Sequence, residues 1–180
     1  MSILDRIVAA VKPEESQEAR IEARAKAERA AKPGDWLSMI IDHHRALEKA
    51  FTAVKASADP AARTSALKSL GVLLTGHSIA EESVIYPALA QIGEKSHADT
   101  AYDEQAMAKV QMAMLEQLDP MSQEFVDKLE DIEAAVAHHM YSEEDNWLID
   151  LAESASPQEQ SMLTARYQEE FQRYVGAGRA

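Results

Sequence analysis

One short pattern with metal-binding chemistry occurs twice in this sequence. A glutamate follows a histidine after four residues at His77 and Glu81, and again at His139 and Glu143. In a helix, that separation places both side chains on one face, about one turn apart. Imidazole and carboxylate groups together are ligands for iron, manganese and zinc. The two pairs are therefore candidates for one shared metal site.

Another helix, which comes before these two pairs in the sequence, carries two adjacent histidines. Its apolar pattern indicates which of them points inward. His44 shares a helical face with Ile40, Leu47 and Phe51, so we expect it to point inward. His43 lies about 100° around the helix, where it would be half exposed or packed on a neighbouring helix.

The register of the last pair is set in the same way. His139 has an acid four residues on, whereas Ser142 stands at that distance from His138, and Trp147 continues the inward face. The remaining acids beside the pairs are expected to be surface charge: Glu82, Glu144 and Asp145.

Burial of these groups needs an explanation, because an unpaired ionised carboxylate is very costly in an apolar core. A bound metal ion removes that cost. The donor set suits iron, manganese or zinc, and carboxylate bridges suit two irons in a bundle core. The ferritin-type pattern is Glu-x-x-His, with glutamate first and a spacing of three. Here the histidine comes first and the spacing is four, which argues against that type.

The elements that position these residues are predicted to be helices throughout. Helical periodicity covers residues 14–32, 36–57, 61–92, 97–118, 123–152 and 156–175, with breaks at prolines and glycines. Short breaks between four long helices predict an all-α, up-down four-helix bundle with an extra N-terminal helix and a C-terminal helix. We divide the chain into a helical extension, 1–34, and a bundle with its C-terminal helix, 35–175.

Composition narrows the class of protein. The formal net charge is -13, which disfavours nucleic acid and anionic membranes as partners. The absence of cysteine excludes thiolate metal sites and disulfides. The first residues show no basic segment followed by a long apolar run, so we predict a cytoplasmic protein.

The N-terminal helix is rich in alanine and charged residues and has a weak apolar face. It is expected to be a solvated extension or an arm that packs on a partner subunit. A homodimer through the N-terminal or C-terminal helices is a corresponding expectation.

Three segments carry a resemblance to a known family. Residues 41–47 read IDHHRAL, residues 77–87 read HSIAEESVIYP and residues 137–144 read AHHMYSEE. From about 36 to 152 the chain resembles the hemerythrin-like (HHE cation-binding) family. The resemblance implies five metal ligands: His44, His77, Glu81, His139 and Glu143.

The third bundle helix departs from the family pattern. Where the family usually has Glu-His, this chain has Glu104-Gln105. Three alternatives follow: an under-coordinated metal that is open to a small molecule, an oxygen ligand from Tyr102 or Glu104, or loss of the second metal. Glu48, four residues after His44, is a further candidate metal ligand.

The resemblance implies a non-haem protein with two irons joined by an oxo or hydroxo bridge, with manganese or zinc as alternatives. It would bind, sense or react with dioxygen, peroxide or nitric oxide in a redox or stress role. The missing histidine favours weak oxidase or peroxidase-like activity, a nitric-oxide-related role or iron handling over reversible carriage. The alternatives are a helical scaffold with a structural or vestigial metal and, more weakly, a zinc or manganese hydrolase.

Overall fold

The computed structural model describes residues 15–177, and every regular element in that range is helical. The helices are α1 (Gln17–Ala30), α2 (Trp36–Ala56), α3 (Pro60–Ala80), α4 (Tyr86–Gln91), α5 (Lys95–Leu115), α6 (Gln123–Ser142), α7 (Leu148–Ser154) and α8 (Pro157–Ala177), with π-helical turns π1 (Glu81–Ile85) between α3 and α4 and π2 (Glu143–Trp147) between α6 and α7. The predicted all-α bundle with additional terminal helices is confirmed.

Short polar side chains begin the bundle helices. The Asp35 carboxylate accepts a hydrogen bond from the backbone N–H of Ser38 at 2.8 Å, before α2. Asp59 caps α3 in the same way, and Ser122 caps α6. Such caps satisfy backbone donors that have no partner within the helix. The turn residues in the sequence therefore determine where these helices start.

The four bundle segments are α2, α3–π1–α4, α5 and α6–π2–α7. Consecutive segments pack against each other, as α2 does on α3, α4 on α5 and α5 on α6. The short connections make these neighbours antiparallel, as expected for an up-down bundle. Helix α8 packs on α3 and α2, and α1 packs on α2 and π2.

A polar layer crosses the bundle and separates two apolar clusters. One cluster contains Trp36, Ile40 and Tyr86, and the other contains Leu47 and Phe51. Between them lie buried polar side chains, namely His44, His77, Glu81, Gln105, His139 and Glu143. Apolar packing on both sides shields this layer from water.

Helix α1 is attached to its own chain. Ala23 and Ala27 are buried, and their small side chains allow a close approach to the bundle. The expectation of a merely solvated extension is therefore wrong for 17–30. The division of the chain at residue 34 stays a prediction, and the predicted lack of a signal segment concerns residues 1–14, which lie outside the described range. Within 15–177, no helix combines the length and apolarity needed to cross a membrane.

Candidate metal centre

Four buried side chains from three bundle segments converge at the polar layer. His44 comes from α2, His77 from the last turn of α3, and Glu81 and Glu143 begin π1 and π2. Each offers one donor atom, and these four atoms all lie within 4.8 Å of one another. Two imidazoles and two carboxylates thus surround a single point.

The hydrogen bonding around this point is incomplete. The Nε2 atoms of His44 and His77, Oε1 of Glu81 and Oε2 of Glu143 are buried and have no hydrogen-bond partner among the described residues. Buried polar atoms are normally satisfied, so a group of four that are not calls for a ligand. A metal ion fits this donor set, because iron, manganese and zinc all accept imidazole and carboxylate ligands.

In each imidazole, the nitrogen that points away from the site, Nδ1, contacts another side chain. Nδ1 of His44 lies 2.6 Å from Oε1 of Glu144, and Nδ1 of His77 lies 3.2 Å from the Tyr167 hydroxyl. Nδ1 of His139 lies 2.9 Å from Oε2 of Glu104. In each ring these contacts leave Nε2 directed toward the site. Outer contacts of this kind orient histidine ligands and select their tautomer.

His139 lies on a second side of the site. Its Nε2 atom is 3.4 Å from Oε1 of Glu143, whose Oε2 lies 3.3 Å from Nε2 of His44. The Glu143 carboxylate therefore lies between the two histidines. Burial opposes protonation of His139, but the charges of Glu143 and Glu81 and a hydrogen bond to Glu104 raise its pKa to about 9.

Tyr86 and Gln105 complete the second side. The Tyr86 hydroxyl lies 3.1 Å from Nε2 of His139 and 3.1 Å from Oε1 of Glu143. The Gln105 amide donates to Oε2 of Glu81 at 2.6 Å and to the Tyr86 hydroxyl at 2.5 Å. A phenol and an amide thus join the carboxylates where a third-helix histidine was expected.

Protonation balances the charge of the site when no metal is bound. Burial lowers the pKa of His44, but the close carboxylates of Glu143 and Glu144, the latter within hydrogen-bond distance of Nδ1, outweigh burial and raise that pKa to about 10. Burial and the nearby Glu143 raise the pKa of Glu81 to about 8. Burial and neighbouring histidines lower the pKa of His77 well below its ordinary value. The metal-free site therefore holds protons that a cation would displace.

Comparison with known proteins assigns the family. Residues 36–149, well over half of the chain, match the hemerythrin HHE cation-binding domain. This chain belongs to the hemerythrin HHE family. A DNA nickase from Nostoc sp. (strain PCC 7120 / SAG 25.82 / UTEX 2576) is 28% identical over 104 residues, which are 58% of this chain and 29% of the Nostoc protein. The hemerythrin-like chain thus spans less than a third of the length of that relative. No solved structure matches the hemerythrin-like chain.

The structure places the five ligands that the hemerythrin-like motifs imply in two groups. His44, His77, Glu81 and Glu143 form the four-atom cluster, and His139 faces Glu143 from the second side. Their burial and proximity agree with the inward faces deduced from the apolar stripes.

The additional candidates have other partners. The Glu48 carboxylate accepts hydrogen bonds from Arg24 and lies at the surface, outside the cluster. Glu104 contacts the outer nitrogen of His139. The Tyr102 hydroxyl donates to the backbone carbonyl of Glu82 at 2.7 Å and does not reach the cluster. Pro87 has no N–H for that carbonyl in the π-helical register, so Tyr102 replaces the missing donor.

The π-helical turns are the main feature that the sequence reasoning missed. The sequence predicts one helix over 61–92, kinked or ended at Pro87, and one over 123–152. Instead, each hemerythrin-like glutamate ligand candidate, Glu81 and Glu143, begins a π turn. The wider π2 turn lets consecutive acids face inward. The expectation that Glu144 is surface charge is wrong, because it is 2% exposed and contacts His44. The repeated His-x-x-x-Glu-Glu motif occurs at both turns, but the motif by itself does not predict a π-helical backbone.

Proposed function

We propose that this hemerythrin-like chain is a non-haem, di-iron protein that binds, senses or reacts with dioxygen or a related small oxidant. The observation that carries the proposal is the set of four buried donor atoms, from two histidines and two glutamates, without hydrogen-bond partners in the described structure. Apolar clusters on both sides keep bulk water from the site. A shielded site with several anionic donors supports an iron centre.

One ion would be held by His44, His77, Glu81 and Glu143. A second would use His139 together with oxygens of Glu143, whose carboxylate lies between the two histidines. Bound iron would supply redox chemistry and an accessible coordination position for a small oxidant.

The second position is proposed to be the weaker and more reactive one. Gln105 and Tyr86 stand there, and a neutral amide is a poorer metal ligand than imidazole. Weak occupancy on this side favours a sensor, or a weak oxidase or peroxidase-like activity, over a reversible carrier. Manganese or zinc could use the same donors, so metal identity is part of the test.

A scaffold with a structural metal is the second candidate. It is favoured by the second side of the site, where Gln105, Tyr86 and Glu81 already hydrogen-bond one another without an ion. In this case the terminal helices would bind a partner or a second copy. A cytoplasmic location and a homodimer stay predictions from the sequence.

The nicking activity named for the Nostoc protein is not part of the proposal. That protein is much longer than the shared segment, and a net charge of -13 opposes binding to DNA. We propose a small oxidant, rather than nucleic acid or a membrane, as the partner.

The experiment is metal analysis and optical spectroscopy of protein produced with iron, before and after exposure to air and peroxide. We expect tightly bound iron, up to two ions per chain, and an absorption change on oxidation. A His44→Ala, His77→Ala variant should lose the metal, whereas His97→Ala, outside the cluster, should retain it. A wild-type protein without iron would count against the iron proposal. Bound iron whose absorption spectrum does not change with air or peroxide would count against the oxidant proposal.

A further inference from the structure

Arg24, on α1, contacts the metal centre through one intermediate residue. Its Nε atom donates to both carboxylate oxygens of Glu144, at 2.8 and 2.9 Å. Its Nη2 atom donates to Oε1 of Glu48 at 2.9 Å. The planar guanidinium is therefore fixed between two carboxylates, a geometry that lysine cannot reproduce.

Glu144 is the intermediate residue, and these contacts hold its carboxylate in place. Its side chain is 3% exposed, so an ionised carboxylate there requires partners. Arg24 is one and His44, at 2.6 Å, is the other. Without Arg24, the Glu144 carboxylate would lose the donor that contacts both of its oxygens and would turn toward solvent, which would release the His44 ring.

His44 transmits the contact to the cluster. Glu144 holds Nδ1, so the opposite nitrogen, Nε2, is directed at Glu143 and has no hydrogen-bond partner in the described structure. A carboxylate on the outer nitrogen of a histidine ligand fixes its orientation and raises its basicity.

Small residues and ion pairs hold α1 in this position. Ala23 and Ala27 are buried against the bundle, and Lys26 lies 3.7 Å from Oδ1 of Asp145, the residue after Glu144. Helix α1 thus binds the π2 turn at two adjacent residues. This helix precedes residues 36–149, so the family domain alone does not contain Arg24.

We propose that Arg24 is a positioning residue of the metal centre: it holds Glu144 against His44 and so directs the His44 ligand nitrogen toward the ion. The inference rests on the proposed function only in that the cluster binds a metal. Helix α1 thereby becomes part of the site rather than an appendage.

The test is a Co²⁺ titration of the metal-free full chain against a chromophoric chelator. We expect Arg24→Ala to weaken Co²⁺ binding by about 10- to 100-fold, the usual effect of losing an outer contact of a ligand. Arg24→Lys should recover only part of the affinity. The Co²⁺ absorption bands should shift in Arg24→Ala, because His44 is no longer held in one orientation.

Chemical rescue separates positioning from general stability. Arg24 lines an open cleft of ≈ 300 Å³, so its removal leaves a space that added methylguanidinium can enter. Methylguanidinium should restore Co²⁺ affinity to Arg24→Ala, whereas methylammonium at the same concentration should not. The matched control is Arg20→Ala, on the same helix and cleft, whose side chain lies 3.9 Å from Glu15. It should bind Co²⁺ as the wild type does.

The outcomes separate this inference from the proposed function. Normal affinity and spectrum in folded Arg24→Ala, or an equal loss in Arg20→Ala, would overturn the inference alone. If Arg24→Ala does not fold, Arg24→Gln replaces it, and unchanged binding there has the same meaning. A wild-type chain that fails to bind Co²⁺ would overturn the metal proposal and the inference with it.

Discussion

Oε1 of Glu144 lies 2.6 Å from Nδ1 of His44. On the other side of the same ring, Oε2 of Glu143 lies 3.3 Å from Nε2. Two consecutive carboxylates therefore flank one imidazole, and the π2 turn makes this possible because it is wider than an α-helical turn. Glu143 is available to a metal, whereas Glu144 is held by Arg24 and controls the orientation of the ring.

The first prediction concerns the charge on Glu144. Glu144→Gln keeps the shape of the side chain but removes its charge, so we expect metal affinity to fall about tenfold. Competition titration with a chelator measures this effect. Glu153→Gln, at an exposed site on α7, is the control and should change nothing. Equal affinities in the two variants would show that Glu144 does not support the ligand.

The second prediction concerns the amide on the third bundle helix. Gln105→His would place an imidazole beside His139 and Tyr86, so we expect occupancy of the second metal position to rise. Metal content after dialysis against limiting iron measures the number of ions per chain. Gln117→His adds an exposed histidine outside the site and should leave that number unchanged. If the second ion binds no better in Gln105→His, the amide is not what weakens the second metal position.

The third prediction concerns protons released by metal binding. The pKa of His44 is raised to about 10 and that of Glu81 to about 8, so both hold protons at pH 7 in the metal-free protein. A metal must displace these protons, so affinity should rise with pH through this range. Calorimetry in two buffers with different ionisation enthalpies counts the protons that are released. A buffer-independent binding enthalpy would refute the displacement.

The same pKa values predict how metal-free stability depends on pH. Groups whose folded pKa is raised stabilise the fold at low pH and lose that contribution as pH rises through the folded value. His44 and His139 act in this direction from about pH 6.5 up to their folded values of about 10 and 9, and Glu81 acts from about pH 4.5 to 8. We therefore expect the metal-free protein to lose stability over this range more steeply than the metal-loaded protein, as measured by urea unfolding at each pH. Parallel pH curves for the two forms would contradict this expectation.

The fifth prediction compares two glycines on α3. A Cβ at Gly71 would meet no atom closer than 3.9 Å, so Gly71→Ala should stabilise the protein by about 0.5–1 kcal/mol through helix propensity. A Cβ at Gly76 would lie 2.8 Å from the Val175 side chain on α8. That clash should cancel or reverse the gain, so the two variants should differ by about 1 kcal/mol in free energy of unfolding. Equal stabilisation would mean that α8 moves away without cost.

Local patterns were sufficient to predict most of the helical frame and the inward faces. Asp35, Asp59 and Ser122 cap helices because their side chains bond backbone groups a few residues away. The His44 face was readable because apolar neighbours repeat with the period of the helix. The family assignment has the same basis, since its motifs lie within single segments.

The tertiary structure decided how the centre is completed. A π turn is a rare single-turn feature within a helix, and the helical period of the apolar residues does not locate it. The contacts of Arg24 with Glu144 and of Tyr167 with His77 join residues at least 90 positions apart. No periodicity encodes such pairs, because each depends on how two helices approach each other. The sequence alone therefore specified the helices and the inward-facing donors, and only the packing of the helices on one another decided which side chains hold those donors in place.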